Sequence, residues 1–142
     1  MAYHLSIFVE NKPGKLEKIT GILTENSVNL RAISVASSGQ FGVVKILVND
    51  PDKAFEALRK NHITASKRKI SVAIVDDRPG GLHHLLTTLS SNRINIEDCY
   101  GFVLEDKKRA AIVVEVEKNP AAEQVLSAQG IQVLSDSEIY TF

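Results

Sequence analysis

Val9-Glu10-Asn11-Lys12-Pro13-Gly14-Lys15-Leu16 returns further along the chain as Val75-Asp76-Asp77-Arg78-Pro79-Gly80-Gly81-Leu82. The offset is 66 residues, and without a gap it also pairs Leu23 with Leu89, Asn26 with Asn92, Asn29 with Asn95 and Leu30 with Ile96. Turn-forming, apolar and polar positions repeat together, so the chain reads as a tandem of two similar units.

Working outward from the first copy, Leu5, Ile7 and Val9 alternate with Ser6, Phe8 and Glu10, the period-two pattern of a strand over about 3–10. Asn11 is placed to cap a helix and Pro13 to occupy its first turn, with Leu16, Ile19, Ile22 and Leu23 at helical spacing until Asn26-Ser27. Leu30, Ile33 and Val35, the turn Ser37-Ser38-Gly39-Gln40 and then Val43, Val44, Ile46 and Val48 read as a hairpin. Ala54, Phe55 and Leu58 mark a second helix, and 63–67 a fourth strand.

The second copy repeats the order. Leu82, Leu85, Leu86 and Leu89 form a helical stripe expected to be core. Beyond the hairpin tip Glu105-Asp106-Lys107-Lys108 the offset grows to 68, since Val48 matches Val116 and Ile63 matches Ile131. Two extra residues in a surface hairpin are easily absorbed. A last helix opens at Pro120, and 131–134 and 139–142 are expected to be extended.

Each unit is thus β-α-β-β-α-β, an α+β, ferredoxin-like arrangement with both helices on one face of an antiparallel sheet. We place the units at 1–68 and 69–142. The short junction Lys67-Arg68-Lys69 leads us to expect the two to pack closely.

Composition narrows the function classes. Hydrophobic residues make up 44% and charged residues 24% of the 142, the balance of a soluble globular chain. With 17 basic and 17 acidic residues there is no net field to recruit nucleic acid or an anionic membrane. The N-terminus carries no export pattern, no apolar run approaches a membrane span, and the single Cys99 can form no intrachain disulfide. A cytoplasmic protein is expected.

The two copies, each with its downstream Asn-Ser-Val-Asn-Leu or Asn-Arg-Ile-Asn-Ile run (26–30 and 92–96), resemble the ACT domain, a small amino-acid-binding regulatory module. The resemblance covers almost the whole chain as two ACT units, similar to stand-alone regulatory proteins such as acetolactate synthase small-subunit-like chains. It implies an effector site near the first strand–helix turn, commonly at an interface between paired domains. It therefore points to Asn11, Lys12, Pro13, Gly14, Lys15, Leu16, Asn29 and Leu30 in one copy, and to Asp77, Arg78, Pro79, Gly80, Gly81, Leu82, Asn95 and Ile96 in the other. If an Asn faces the turn of the paired domain, as is common in the family, Asn29 would serve the second site and Asn95 the first.

The residue types suit that chemistry. A helix start presents unpaired N–H groups and partial positive charge to a carboxylate, and glycine leaves the approach open. The bland reading stands beside this one: Pro-Gly can simply shape the connection, and Asn29 and Asn95 can satisfy nearby backbone. The copies also differ. Asn11 becomes Asp77, Lys15 becomes Gly81, and Glu17-Lys18 becomes His83-His84, so unequal sites are expected, with Gly81 admitting a ligand or a neighbouring backbone more closely.

Other functions are poorly supported. There is no nucleophile–base set, phosphate-cradling loop or metal-ligand spacing; adjacent His83 and His84 point about 100° apart on a helix and are read as solvated. RNA-recognition domains share the element order, but they stack bases on central-strand aromatics. The third strands, read as 43–48 and 111–116, contain none. The expected protein is non-catalytic, needs no cofactor, binds a free amino acid, acts on a partner enzyme of amino-acid metabolism and forms a homodimer. The alternative is a protein-interaction subunit with no small-molecule ligand.

Overall fold

The computed structural model describes residues 2–141. The elements are β1 (Tyr3–Glu10), α1 (Lys15–Glu25), β2 (Leu30–Ser38), β3 (Phe41–Val48), α2 (Pro51–Lys60) and β4 (Ala65–Lys69), then β5 (Ser71–Asp76), α3 (Gly81–Ser91), β6 (Ile96–Val103), β7 (Arg109–Val116), α4 (Asn119–Ala128), β8 (Gln132–Val133) and α5 (Asp136–Thr141). They make two four-stranded antiparallel sheets, ordered β2-β3-β1-β4 and β6-β7-β5-β8. Both are ferredoxin-like α+β units.

Residues Tyr3–Arg68 with 140–141 form the first compact unit, and Ala2 with Lys69–Ile139 the second. At the edges of each, the Tyr3 amide donates to Tyr140 Oη at 2.9 Å, and the Ile70 amide donates to the Ala2 carbonyl at 3.0 Å.

Alternation on the central strands sets the faces. Leu5 and Ile7 of β1 and Val44, Ile46 and Val48 of β3 pack with Ile19, Ile22 and Leu23 of α1 and with Leu58 of α2. In the second unit Ala73, Ile112 and Val114 meet Leu85 and Leu89 of α3 and Leu126 of α4. The opposite face of the first sheet carries His4, Ser6, Phe8 and Glu10 of β1, since Glu10 pairs with Phe41 and Phe8 with Val43 of β3.

All four long helices of the units end in one way. The amide of the third residue past the helix, Val28, Ile63, Ile94 or Ile131, returns to a leucine carbonyl five residues back. The intervening Ser27, His62, Arg93 and Gly130 adopt φ between 55° and 76°. The six-to-one bond satisfies a terminal carbonyl and turns the chain back toward the sheet.

Several expectations need correction. Asn11 does not cap α1; its Nδ2 donates to the Gly39 carbonyl at 3.2 Å, tying the turn to the hairpin. The cap position belongs to Gly14, and Pro13 precedes the helix. Leu82 is not core: in the first turn of α3 it is 42% exposed, as its counterpart Leu16 in the first turn of α1 is 40% exposed. The junction Lys67-Arg68-Lys69 is itself the last part of β4.

Residues 136–141, of which 139–141 were expected to be extended, are helical; Phe142 lies outside the described residues. The cause is a capping box. Ser135 Oγ accepts from the Glu138 amide at 3.3 Å, while Glu138 Oε1 accepts from the Ser135 amide at 3.1 Å.

Candidate functional site

The strand–helix turn is built alike in both units. Lys12 and Arg78 reach back to Glu10 and Asp76, with Nζ–Oε2 of 2.9 Å and Nε–Oδ2 of 3.1 Å. Lys15 Nζ also lies 4.0 Å from Glu10 Oε1. The hydrogen bond from Lys12, with the charges of Lys12 and Lys15, lowers the Glu10 pKa from its ordinary value, and Glu10 in turn raises that of Lys12.

After the proline the backbone must reverse into the helix, which Gly14 and Gly80 allow at φ 87° and 91°. A Cβ added at either would meet nothing within 4 Å, so conformation alone calls for glycine there. Gly81 is different. A Cβ at this first residue of α3 would collide with the Asp76 carbonyl oxygen, so the second glycine admits its own chain's backbone. Lys15 holds the equivalent place in α1.

A cavity opens beside each turn. The first, about 230 Å³, is lined by Phe8, Glu10, Lys15, Lys18, Phe41 and His62 among others. The second, about 330 Å³, is lined by Asp76, Arg78, Gly80, Gly81, His84 and Gly130 among others. These volumes sit near the lower end of drug-sized sites, roughly 300–1,000 Å³, which suits a single small metabolite.

Strand pairing explains the location. Strand β8 pairs with β5 only at Ala73↔Val133 and Ile74↔Gln132, leaving the end of β5 free on that side. Gly130 and Ile131, and His62 and Ile63 in the first unit, border the resulting gap. Each cavity thus lies between the end of the first strand, the start of the first helix and the loop before the edge strand. The helix starts supply N–H groups without partners inside the helix.

The expected residues divide. Lys15, Arg78, Gly80 and Gly81 line the cavities. Asn11, Lys12, Pro13, Gly14, Asp77 and Pro79 form the turns beside them, and Leu16 and Leu82 stand exposed on the adjoining helix turn.

Asn29, Leu30, Asn95 and Ile96 lie elsewhere. β3 meets Glu10 at Phe41 but Leu30 at Val48, so Asn29 sits at the opposite end of the sheet from Gly14. There its amide donates to Asn49 Oδ1 at 2.9 Å. Asn95 precedes β6 in the same way, so neither Asn reaches the turn of its own unit.

Sequence reasoning missed the aromatic wall. Strand β3 begins at Phe41 rather than Val43, and Phe41 stacks on Phe8 with centroids 5.2 Å apart and planes 18° from parallel. It also missed the loop residues 62–64 and 130–131, which the offset of 68 pairs with each other. His84, read as solvated, is exposed and borders the second cavity.

A family model described as an ACT domain pair matches residues 1–142. The chain belongs to this family.

Among solved structures, protein BT0572 of Bacteroides thetaiotaomicron is 32% identical, with TM-score 0.92 over 99% of this chain and 96% of that one. The ligand-free regulatory subunit of aspartate kinase from Thermus thermophilus is 18% identical, with TM-score 0.68 over 90% and 93%. At that identity the likeness is one of fold. No curated protein matches the chain.

Proposed function

We propose that the chain is a non-catalytic regulatory protein whose two ACT units bind free amino acids at their strand–helix turns and control a partner enzyme of amino-acid metabolism. The observation that carries this is the pair of equivalent cavities, each holding fixed groups of both signs beside a helix N-terminus. A free amino acid is a zwitterion of matching size. Its carboxylate suits the helix amides and Lys15 or Arg78, and its ammonium suits Glu10 or Asp76.

Lys12, Pro13, Gly14 and Leu16, with Asp77, Pro79 and Leu82, shape the approach to those groups. Regulation acts in trans, from a cytoplasmic homodimer. That a chain of this fold is the regulatory subunit of aspartate kinase from Thermus thermophilus supports such an arrangement. Among the described residues no helix is long and apolar enough to cross a membrane.

A thermal-shift screen of the intact chain against the twenty amino acids tests the proposal. Ligand at 100 times its Kd adds about 2.7 kcal/mol to the native state, so at least one amino acid should raise the midpoint by several degrees. No shift with any of them at millimolar concentration would contradict it, and would favour a protein-interaction subunit without a small-molecule ligand.

A further inference from the structure

The walls of the two cavities differ, and we infer that the first selects an amino acid with an aromatic side chain whereas the second does not. This rests on the reading of both cavities as amino-acid sites.

Phe8 and Phe41 are 58% and 46% exposed, large apolar surface left open at a cavity mouth. Their near-parallel stack, 5.2 Å between centroids, can be extended by a third ring, because offset stacking is a favoured geometry of aromatic side chains. The same small cavity carries Lys15, Lys18 and Glu10. A carboxylate and ammonium at one end and a phenyl or phenol ring at the other describe one aromatic amino acid.

In the second unit the wall is gone. The register pairs Glu10 with Phe41 in one sheet and Asp76 with Arg109 in the other, so Arg109 replaces Phe41 and Ile74 replaces Phe8. Arg109 Nε is held by Asp106 Oδ2 at 2.6 Å. Gly81 also brings the Asp76 backbone against the helix start, where the first unit has Lys15 and its charge.

Exposed aromatics on β1 and β3 raise a second occupant, a nucleobase, since RNA-recognition sheets stack two or three bases on such positions. The surroundings favour the amino acid. His4 and Leu47, further along the same face of these strands, are buried, so the open aromatic surface is a single ring pair at the end of the sheet. Glu10 stands directly across from Phe41, where a phosphate would be repelled.

Isothermal titration calorimetry of the intact chain with L-phenylalanine, L-alanine and uridine monophosphate tests this inference. We expect L-phenylalanine to bind about 10-fold more tightly than L-alanine. Phe8→Ala and Phe41→Leu should each erase the difference while circular dichroism remains native. Equal affinity for the two amino acids, or a preference that survives both variants, overturns the inference and leaves the amino-acid reading intact. Failure of every amino acid to bind removes the underlying reading as well. Tighter binding of uridine monophosphate than of L-phenylalanine, lost in Phe41→Leu, would make the ring pair a nucleobase platform and also overturn the inference.

Discussion

Gly81 and Lys15 occupy equivalent positions yet answer different demands. Gly81→Ala forces a methyl group into the Asp76 carbonyl, a backbone atom that cannot move aside cheaply. We expect a loss of about 1–3 kcal/mol in denaturant unfolding, as for other overpacked sites. Lys15→Ala should stay within about 0.5 kcal/mol. The Glu10–Lys12 pair gives a titration rather than a stability signal, because both side chains are exposed to solvent. The folded pKa of Glu10 is depressed, so the pair's small contribution is present above the ordinary Glu value and is lost as pH falls through the depressed one. Lys12→Ala should therefore raise the Glu10 pKa toward its ordinary value in an NMR titration; an unchanged pKa would show that the pair does not form in solution. The Pro-Gly turn was legible because its backbone demand is written in residue types. The aromatic wall was not, because Phe41 stands beside the hairpin turn, where strand boundaries leave little trace in an apolar pattern.

Helices and strands were legible where their periodicity ran for several turns. α1 through α4 and the central strands follow their apolar spacing, and the repeat gave each element an independent second reading. Short elements gave less. α5 has six residues and no room for a period, so only its capping box, Ser135 to Glu138, records it. Hydrogen bonds from Ser135 also lower the Glu138 pKa from its ordinary value. Ser135→Ala should cost about 0.5–2 kcal/mol if the box holds the last helix, measured by chemical denaturation. A change near zero would mean that packing of Ile139, which is buried, suffices to hold it. Leu82 shows the converse failure. Its spacing fits the helical stripe, but periodicity identifies a face of a helix and not how much of that face is covered at its first turn.

Taken together, the two units give duplication with divergence. Each has its own core, its own strand–helix turn and its own cavity. The approximate place of both sites could be read from the repeated turn and the ACT resemblance. A smaller part of each lining could not, because it comes from a loop distant in sequence that the edge strand brings alongside β1 or β5. The expected inequality of the sites acquires physical content from this: the Phe8–Phe41 wall with Lys15 and Lys18 in one, and Gly81, Arg78 and His84 in the other. The most direct measurement is a two-dimensional amide NMR titration of the isotopically labelled chain with the amino acids that raise its melting midpoint. The account predicts shifts concentrated at residues 8–18 with 62–64, at 74–84 with 130–131, or at both, saturating at different concentrations where both respond. Shifts confined to other surfaces, or none at all, would contradict it.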